Sequence, residues 1–186
     1  MISVLDYILS KMVLLIFLLL LVSAFALVQQ SLNSYFTQQA ANGLASGISS
    51  HISQVVTTVR STSERKVFVM PPALEAGNEK IPYDVNVAVY RRSDGQHELC
   101  YVGVLVLEQG TGKPLAFDAV PVGKPGDVDI HVCYRDDGIF ARSSGVKDQY
   151  LILDRTIDLA NSQMSLTLCS STHSSAQCSS CEGDLC

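Results

Sequence analysis

The sequence predicts an α+β fold: a long N-terminal hydrophobic helix followed by an antiparallel β-sandwich, with an immunoglobulin-like arrangement among the sandwiches it admits. Three observations carry this. Residues 12–28 (MVLLIFLLLLVSAFALV) form an uncharged run with Ser23 as the only hydroxyl. No proline precedes Pro71, so nothing in that stretch forces a helix to break. From Tyr83 onward, short apolar runs alternate with Gly, Pro, Asp and Asn, the pattern of successive strands and turns.

Three readings compete for the N-terminus. A cleavable secretory signal would use Lys11 as its basic start, Leu14 to Val22 as its apolar core and Ala24-Phe25-Ala26 as its cleavage site. A transmembrane anchor needs about twenty apolar residues, which Met12–Val28 approaches with help from Ile8 and Leu9. The third reading rests on the residues beyond Val28. Leu32, Tyr35, Phe36, Ala40, Leu44, Ile48, Ile52, Val55, Val56 and Val59 recur mostly at steps of three and four, one stripe of a helix. A helix from Ile2 to Val59 would be about 90 Å long at 1.5 Å per residue, far more than a bilayer requires. Its stripe needs cover, either from the same helix of neighbouring subunits or from the chain's own globular domain. Ala41 and Ala45, Gly43 and Gly47, and Ser46 and Ser50 stand four apart, a spacing that lets helices approach closely. The glycines also cost about 1 kcal/mol each relative to alanine, so they mark either close packing or a kinked or melted stretch.

Ser61 to Lys80 loses the helical period, and Pro71-Pro72 and Gly77-Asn78 punctuate it as a connector. Asp84 to Arg91 alternates with Val85, Val87 and Val89 on one face, and Ser93-Asp94-Gly95-Gln96 reads as a hairpin turn. Leu99 to Leu107 is nearly all apolar, as expected of a central strand covered on both faces. Further strands follow at Leu115 to Val120, Val128 to Tyr134, Tyr150 to Leu159 and Gln163 to Cys169, with a short one within Ile139 to Arg142. Six or seven strands at this spacing argue for a sandwich, and no long helix interrupts them. The expected organisation is therefore residues 1–60 as a membrane anchor or filament core, 61–82 as a linker, 83–170 as the β-domain, and 171–186 as a Cys/Ser-rich tail.

The formal net charge is −5 and thinly spread. The densest basic spots are Arg65-Lys66 and Arg91-Arg92, too few to neutralise a phosphate backbone, so nucleic acid is excluded as a partner. All six cysteines, Cys100, Cys133, Cys169, Cys178, Cys181 and Cys186, lie in the C-terminal half. An even number behind a membrane-type segment predicts disulfides in an oxidising space, with the pairing open.

Few residues suggest chemistry. Cys178-x-x-Cys181 with Cys186 and His173 offers three sulfurs and a nitrogen to zinc, but the favoured reading is that these cysteines staple a serine-rich tail, to each other or to Cys169, Cys133 or Cys100. Glu182 follows Cys181 where haem attachment needs histidine. Gly110-Thr111-Gly112-Lys113 lacks the upstream glycine of a phosphate loop, and Pro114 stands where that loop needs Ser or Thr. His51, His97, His131 and His173 are scattered, with no nucleophile and orienting acid beside them. Asp127, Asp129, Asp136 and Asp137 are either calcium ligands at one end of a sandwich or turn formers. No Asn-x-Ser/Thr acceptor occurs. The expectation is a non-enzymatic protein without cofactor or metal.

The opening Ile2-Ser3-Val4-Leu5-Asp6-Tyr7-Ile8-Leu9, leading into the apolar helix, resembles the start of archaeal type IV pilin-like proteins, which carry a class III signal sequence just before the greasy run. Counted from Ile2, Asp6 falls fifth, where such pilins commonly carry an acid. The resemblance implies an extracellular filament whose core is a bundle of N-terminal helices and whose surface is made of β-domains. It implies that Asp6 registers subunits by pairing with a neighbour's N-terminal amine. The alternative for Asp6 is a polar residue at the membrane interface, near a helix N-terminus that favours negative charge. The assembly residues expected on this basis are Asp6, Tyr7, Leu14, Ile16, Leu20, Leu32, Phe36, Leu44, Ile48 and Ile52. The expected partners are identical subunits, with the membrane as host before assembly. The rival expectation is a single-pass membrane protein whose extracytoplasmic β-domain serves a larger complex.

Overall fold

The computed structural model describes residues 4–58, 62–77, 79–93, 95, 98–135, 138–176, 178 and 181–185. Its first element, α1 (Val4–Thr57), is unbroken and about 80 Å long at 1.5 Å per residue. Gly43 and Gly47 lie inside it without melting it: Gly47 passes against the Phe68 ring, and Gly43 meets open space. The chain then reverses into β1 (Ser63–Met70), β2 (Leu74–Ala76), β3 (Glu79–Ile81), β4 (Tyr83–Ser93), β5 (Glu98–Glu108) and β6 (Pro114–Gly123). It continues through β7 (Val128–Val132), β8 (Ala141–Arg142), β9 (Gln149–Asp158), β10 (Gln163–Ser171) and β11 (Glu182–Leu185).

These strands make a five-stranded sheet in the order β1-β9-β10-β7-β11, a four-stranded sheet in the order β6-β5-β4-β8, and the small β2-β3 pair. The fold is α+β, and among the described residues all strand pairs but one are antiparallel. The exception is β7, which runs parallel to β10 with Ile130 opposite Leu166. Both sheets and one face of α1 feed a single core. It contains Val85 and Val87 of β4, Val102, Val104 and Val106 of β5, Ile130, Leu151, Leu153, Leu166 and Leu168. The strand order does not establish an immunoglobulin-like sandwich.

Three sequence expectations need correction. Residues 61–82 are not a linker, because β1 is an edge strand laddered along its length with β9, from Ser63↔Thr156 to Met70↔Gln149. Its faces are mixed: Glu64 and Lys66 share the more covered side with Phe68 and buried Met70, while Val67 and Val69 are exposed. The charged positions are stabilised by pairing, Arg65 with Asp154 at 3.7 Å and Glu64 with Arg155 at 3.3 Å. Strand β5 is covered on one face rather than two. Cys100, Val102, Val104 and Val106 are buried, whereas Leu99, Tyr101, Leu105 and Leu107 on the other face are only half-buried. On that outer face Tyr90 and Tyr101 stack at 5.6 Å. A Cβ on Gly103 would lie 3.0 Å from the Phe117 ring and 3.1 Å from Tyr90, so the aromatic rings fill the place of the missing side chain.

The tail is not merely stapled. Its end forms β11, which extends the five-stranded sheet by pairing with β7, Glu182 opposite Val132 and Leu185 opposite Asp129. Little in the sequence Glu182-Gly183-Asp184-Leu185 favours a strand. The Cys133–Cys181 disulfide holds it beside β7, and the ladder results from that proximity.

Candidate assembly and membrane-anchoring surface

The apolar positions of α1 do not form one stripe. A step of four residues turns a helix about 400°, overshooting a full turn by about 40°, so a run of four-residue spacings winds around the rod. The consequence is a change of face between Phe36 and Leu44. Ala41, Leu44, Ala45, Ile48, Ile52 and Val55 are buried against the chain's own β-domain, chiefly against β6, with β2, β5, β1 and β9 around it. The alanines allow the helix to approach the domain closely. Phe68 of β1 reaches His51 across the seam, ring centroids 4.9 Å apart. Leu44, Ile48 and Ile52 are therefore core residues of the subunit and are not available as assembly contacts, which corrects that part of the expected set.

The other half of the helix is bare. Tyr7, Leu14, Ile16 and Leu20 are all exposed, as is every large apolar side chain from Tyr7 to Val28. This segment is long and apolar enough to cross a membrane, and none of its most apolar window is covered by the protein. Lys11 sits just before the uncharged run, its ammonium 5.5 Å from the Tyr7 ring centroid. The backbone at Asp6 is helical, but its side chain is outside the described residues. Val59 of the expected stripe lies outside them altogether.

Past the bilayer-length run, Leu32, Tyr35 and Phe36 remain 49 %, 63 % and 42 % exposed. On an ideal helix they project away from the face that carries Ala41, Ala45 and Ile48. Exposed large apolar side chains therefore run from Tyr7 to Phe36, about 45 Å at 1.5 Å per residue, dense to Val28 and then interspersed with Gln29, Gln30, Ser31, Asn33 and Ser34, against a bilayer hydrocarbon core of about 30 Å.

The cysteines behave as the oxidising-space reading requires. Cys133 bonds Cys181 and Cys169 bonds Cys178; Cys100 is also disulfide-bonded, and Cys186 lies outside the described residues. The sulfurs of Cys133, Cys169 and Cys178 lie within 4.8 Å of one another, so the two bridges are adjacent on the outer face of the five-stranded sheet. Their sulfurs are spent on each other, which removes the thiolates that zinc would need. Arg65 donates to the Ala176 carbonyl, tying the tail back across β1. Ile152, which lies opposite Cys169 and Val67 in the ladders, is fully buried although it stands in line with exposed Val67. An anchor helix with an uncharged run at residues 12–28 and a disulfide-bonded β-domain together define a membrane-anchored chain with an extracytoplasmic domain.

The other sequence candidates separate. His131 Nε2 lies 3.1 Å from Asp129 Oδ2 on β7, His51 packs on Phe68, and His173 is exposed on the tail. Asp136, Asp137 and His97 fall outside the described residues. Gly110 and Gly112 adopt positive φ, 86° and 65°, in the turn that closes β5 onto β6, with Gly112 N–H donating to Glu108 O at 3.0 Å. Tyr83 anchors the base of β4: its hydroxyl donates to Pro71 O at 2.6 Å and its N–H to Ser143 Oγ at 2.8 Å. Burial, and secondarily the Asp148 carboxylate, hold its phenol well above its ordinary pKa.

No family model, no curated protein and no solved structure matches this chain.

Proposed function

We propose that this protein is a structural subunit of a type IV pilin-like filament, anchored in the membrane by α1 and then transferred into a core built of such helices. The observation that carries this reading is the apolar exposure that continues past the bilayer length. A lipid anchor alone leaves Leu32, Tyr35 and Phe36 outside the hydrocarbon, and within the subunit they remain exposed. Copies of the same helix would cover them together with residues 7–28. Burying one Leu, Ile or Phe side chain contributes about 1.5–3 kcal/mol, so a rod of this composition holds an assembly without covalent links. The β-domains then form its surface.

Electron microscopy of the purified full-length chain tests the reading. Filaments with a helical core are expected, and a Leu32→Ser/Phe36→Ser variant should lose them while its β-domain melts at the wild-type temperature. Discrete detergent-solubilised particles from the wild type, under every condition that removes detergent, would instead leave a single-pass anchored module.

A further inference from the structure

Where α1 leaves the apolar run, it forms one wall of a cleft of about 310 Å³ with a mixed lining, Ile81, Pro114 and Leu115 among its apolar part. Gln30, Asn33, Ser34 and Gln38 line it from the helix, and Glu108 and Lys113 line it from the β5–β6 turn. Gln30 is only two residues beyond Val28, about 3 Å along the axis, and Gln38 about 15 Å. The polar headgroup layer on one side of a bilayer is about 5–8 Å deep. With Met12–Val28 in the hydrocarbon, the near rim of the cleft therefore lies at headgroup level, on the side of the disulfide-bonded domain.

The charges in the cleft are arranged for a zwitterion. Glu108 and Lys113 stand at the two ends of one turn, joined through the backbone by Glu108 N–H to Lys113 O at 2.9 Å. Their side chains form no ion pair, and among the described residues no carboxylate pairs with the Lys113 ammonium. Glu108 Oε2 accepts the Thr111 hydroxyl at 2.8 Å, which aims the carboxylate from a fixed turn. Glu79, the other nearby acid, is engaged by Asn33 Nδ2 at 3.4 Å. Amide and hydroxyl groups from the helix complete a site whose lining carries one ammonium and one carboxylate from the same turn.

We propose that this cleft seats the headgroup of an amino-phospholipid while the subunit is in the membrane, phosphate toward Lys113 and ammonium toward Glu108. The acyl chains would continue down the exposed face of α1, so a free phosphate in solution is not the intended occupant. The proposal rests on membrane insertion and not on the filament.

The test uses the full chain in detergent with defined lipids, read by native mass spectrometry of retained adducts. Phosphatidylethanolamine is expected to be retained about tenfold over diacylglycerol, with phosphatidylglycerol in between. Lys113→Ala should reduce both phospholipids several-fold, and Glu108→Gln should erase only the preference for ethanolamine over glycerol. Lys147→Ala, on a different loop, should change nothing, and a circular-dichroism melt verifies that each variant is folded. Retention that ignores the headgroup, or that survives Lys113→Ala, overturns the proposal. So does displacement of the lipid by millimolar inorganic phosphate, which would make this a soluble-anion site. Micrographs of the same preparations score filaments separately, so loss of the polymer and loss of headgroup binding are independent results.

Discussion

Arg155 and Glu64 stand directly opposite one another on β9 and β1, Nη2 3.3 Å from Oε2, with the arginine side chain 1 % exposed. The same guanidinium donates to the carbonyl of Thr58, one residue past the end of α1. The last turn of α1 contains no basic residue of its own. A buried arginine from the sheet thus supplies the positive charge that the carbonyl end of the helix favours, and Glu64 balances it.

Removing Arg155 leaves the largely covered Glu64 carboxylate with only the half-exposed Lys66 ammonium, 3.6 Å away, to balance it. Arg155→Ala should lower domain stability by about 3–5 kcal/mol, measured by urea denaturation of the detergent-solubilised chain. The double variant Arg155→Met/Glu64→Gln, which removes both charges, should recover most of that loss. Equal losses in both would show that packing, not charge, is at stake.

Gly123 tests the close approach of β6 to the start of β7. A Cβ there would overlap the side chain of buried Val128. Gly123→Ala should therefore cost about 1–3 kcal/mol through overpacking. Adding Val128→Ala should relieve the clash, so the two changes are expected to be non-additive in thermal melts.

The two mapped disulfides should differ in worth. Closing nine residues between Cys169 and Cys178, and 48 between Cys133 and Cys181, contributes about 3 and about 4 kcal/mol respectively in the loop-entropy account. Paired Cys→Ser variants of each bridge measure this. Hydrogen exchange at β11 should rise sharply only when Cys133–Cys181 is removed, since that bridge holds the strand to β7.

Tyr83 sets an alkaline limit. Its folded pKa is raised, first by burial and then by Asp148, so the native state holds the phenolic proton more tightly than the unfolded chain. That contribution is complete below the unfolded value of about 10 and is lost as pH rises from there toward the folded value. Stability should fall above pH ~10 in the wild type and less steeply in Tyr83→Phe. At neutral pH the variant should lose about 1 kcal/mol with its bond to Pro71.

The strands that the sequence reveals are those whose apolar residues face inward at a period of two. Val85, Val87, Ile130 and Val132 are buried as their alternation requires. Strand β1 escaped because its apolar residues are split between two faces, Phe68 and Met70 inward with Glu64 and Lys66, Val67 and Val69 outward with Ser63 and Arg65, so no period of two stands out. Strands β2 and β3 are three residues each, too short for any period. The parallel β7–β10 pairing depends on contacts distant in sequence and leaves no local signal. In the candidate surface, bare Leu14, Ile16 and Leu20 follow from hydropathy alone. The change of face near residue 40 follows from helical geometry once the four-residue steps are taken at their true angle.

Helix and β1 lie side by side in opposite directions: Lys66 reaches Gln54 at 3.4 Å, and Phe68 lies against His51 and Gly47. Part of any tug on the membrane end of the rod therefore enters the domain along the axis of β1, and the rest through the packing of α1 on β6. The eight rungs joining β1 to β9 are strained together as a set instead of opening one after another. A lap joint of this kind lets a small head resist traction that would readily peel a hairpin.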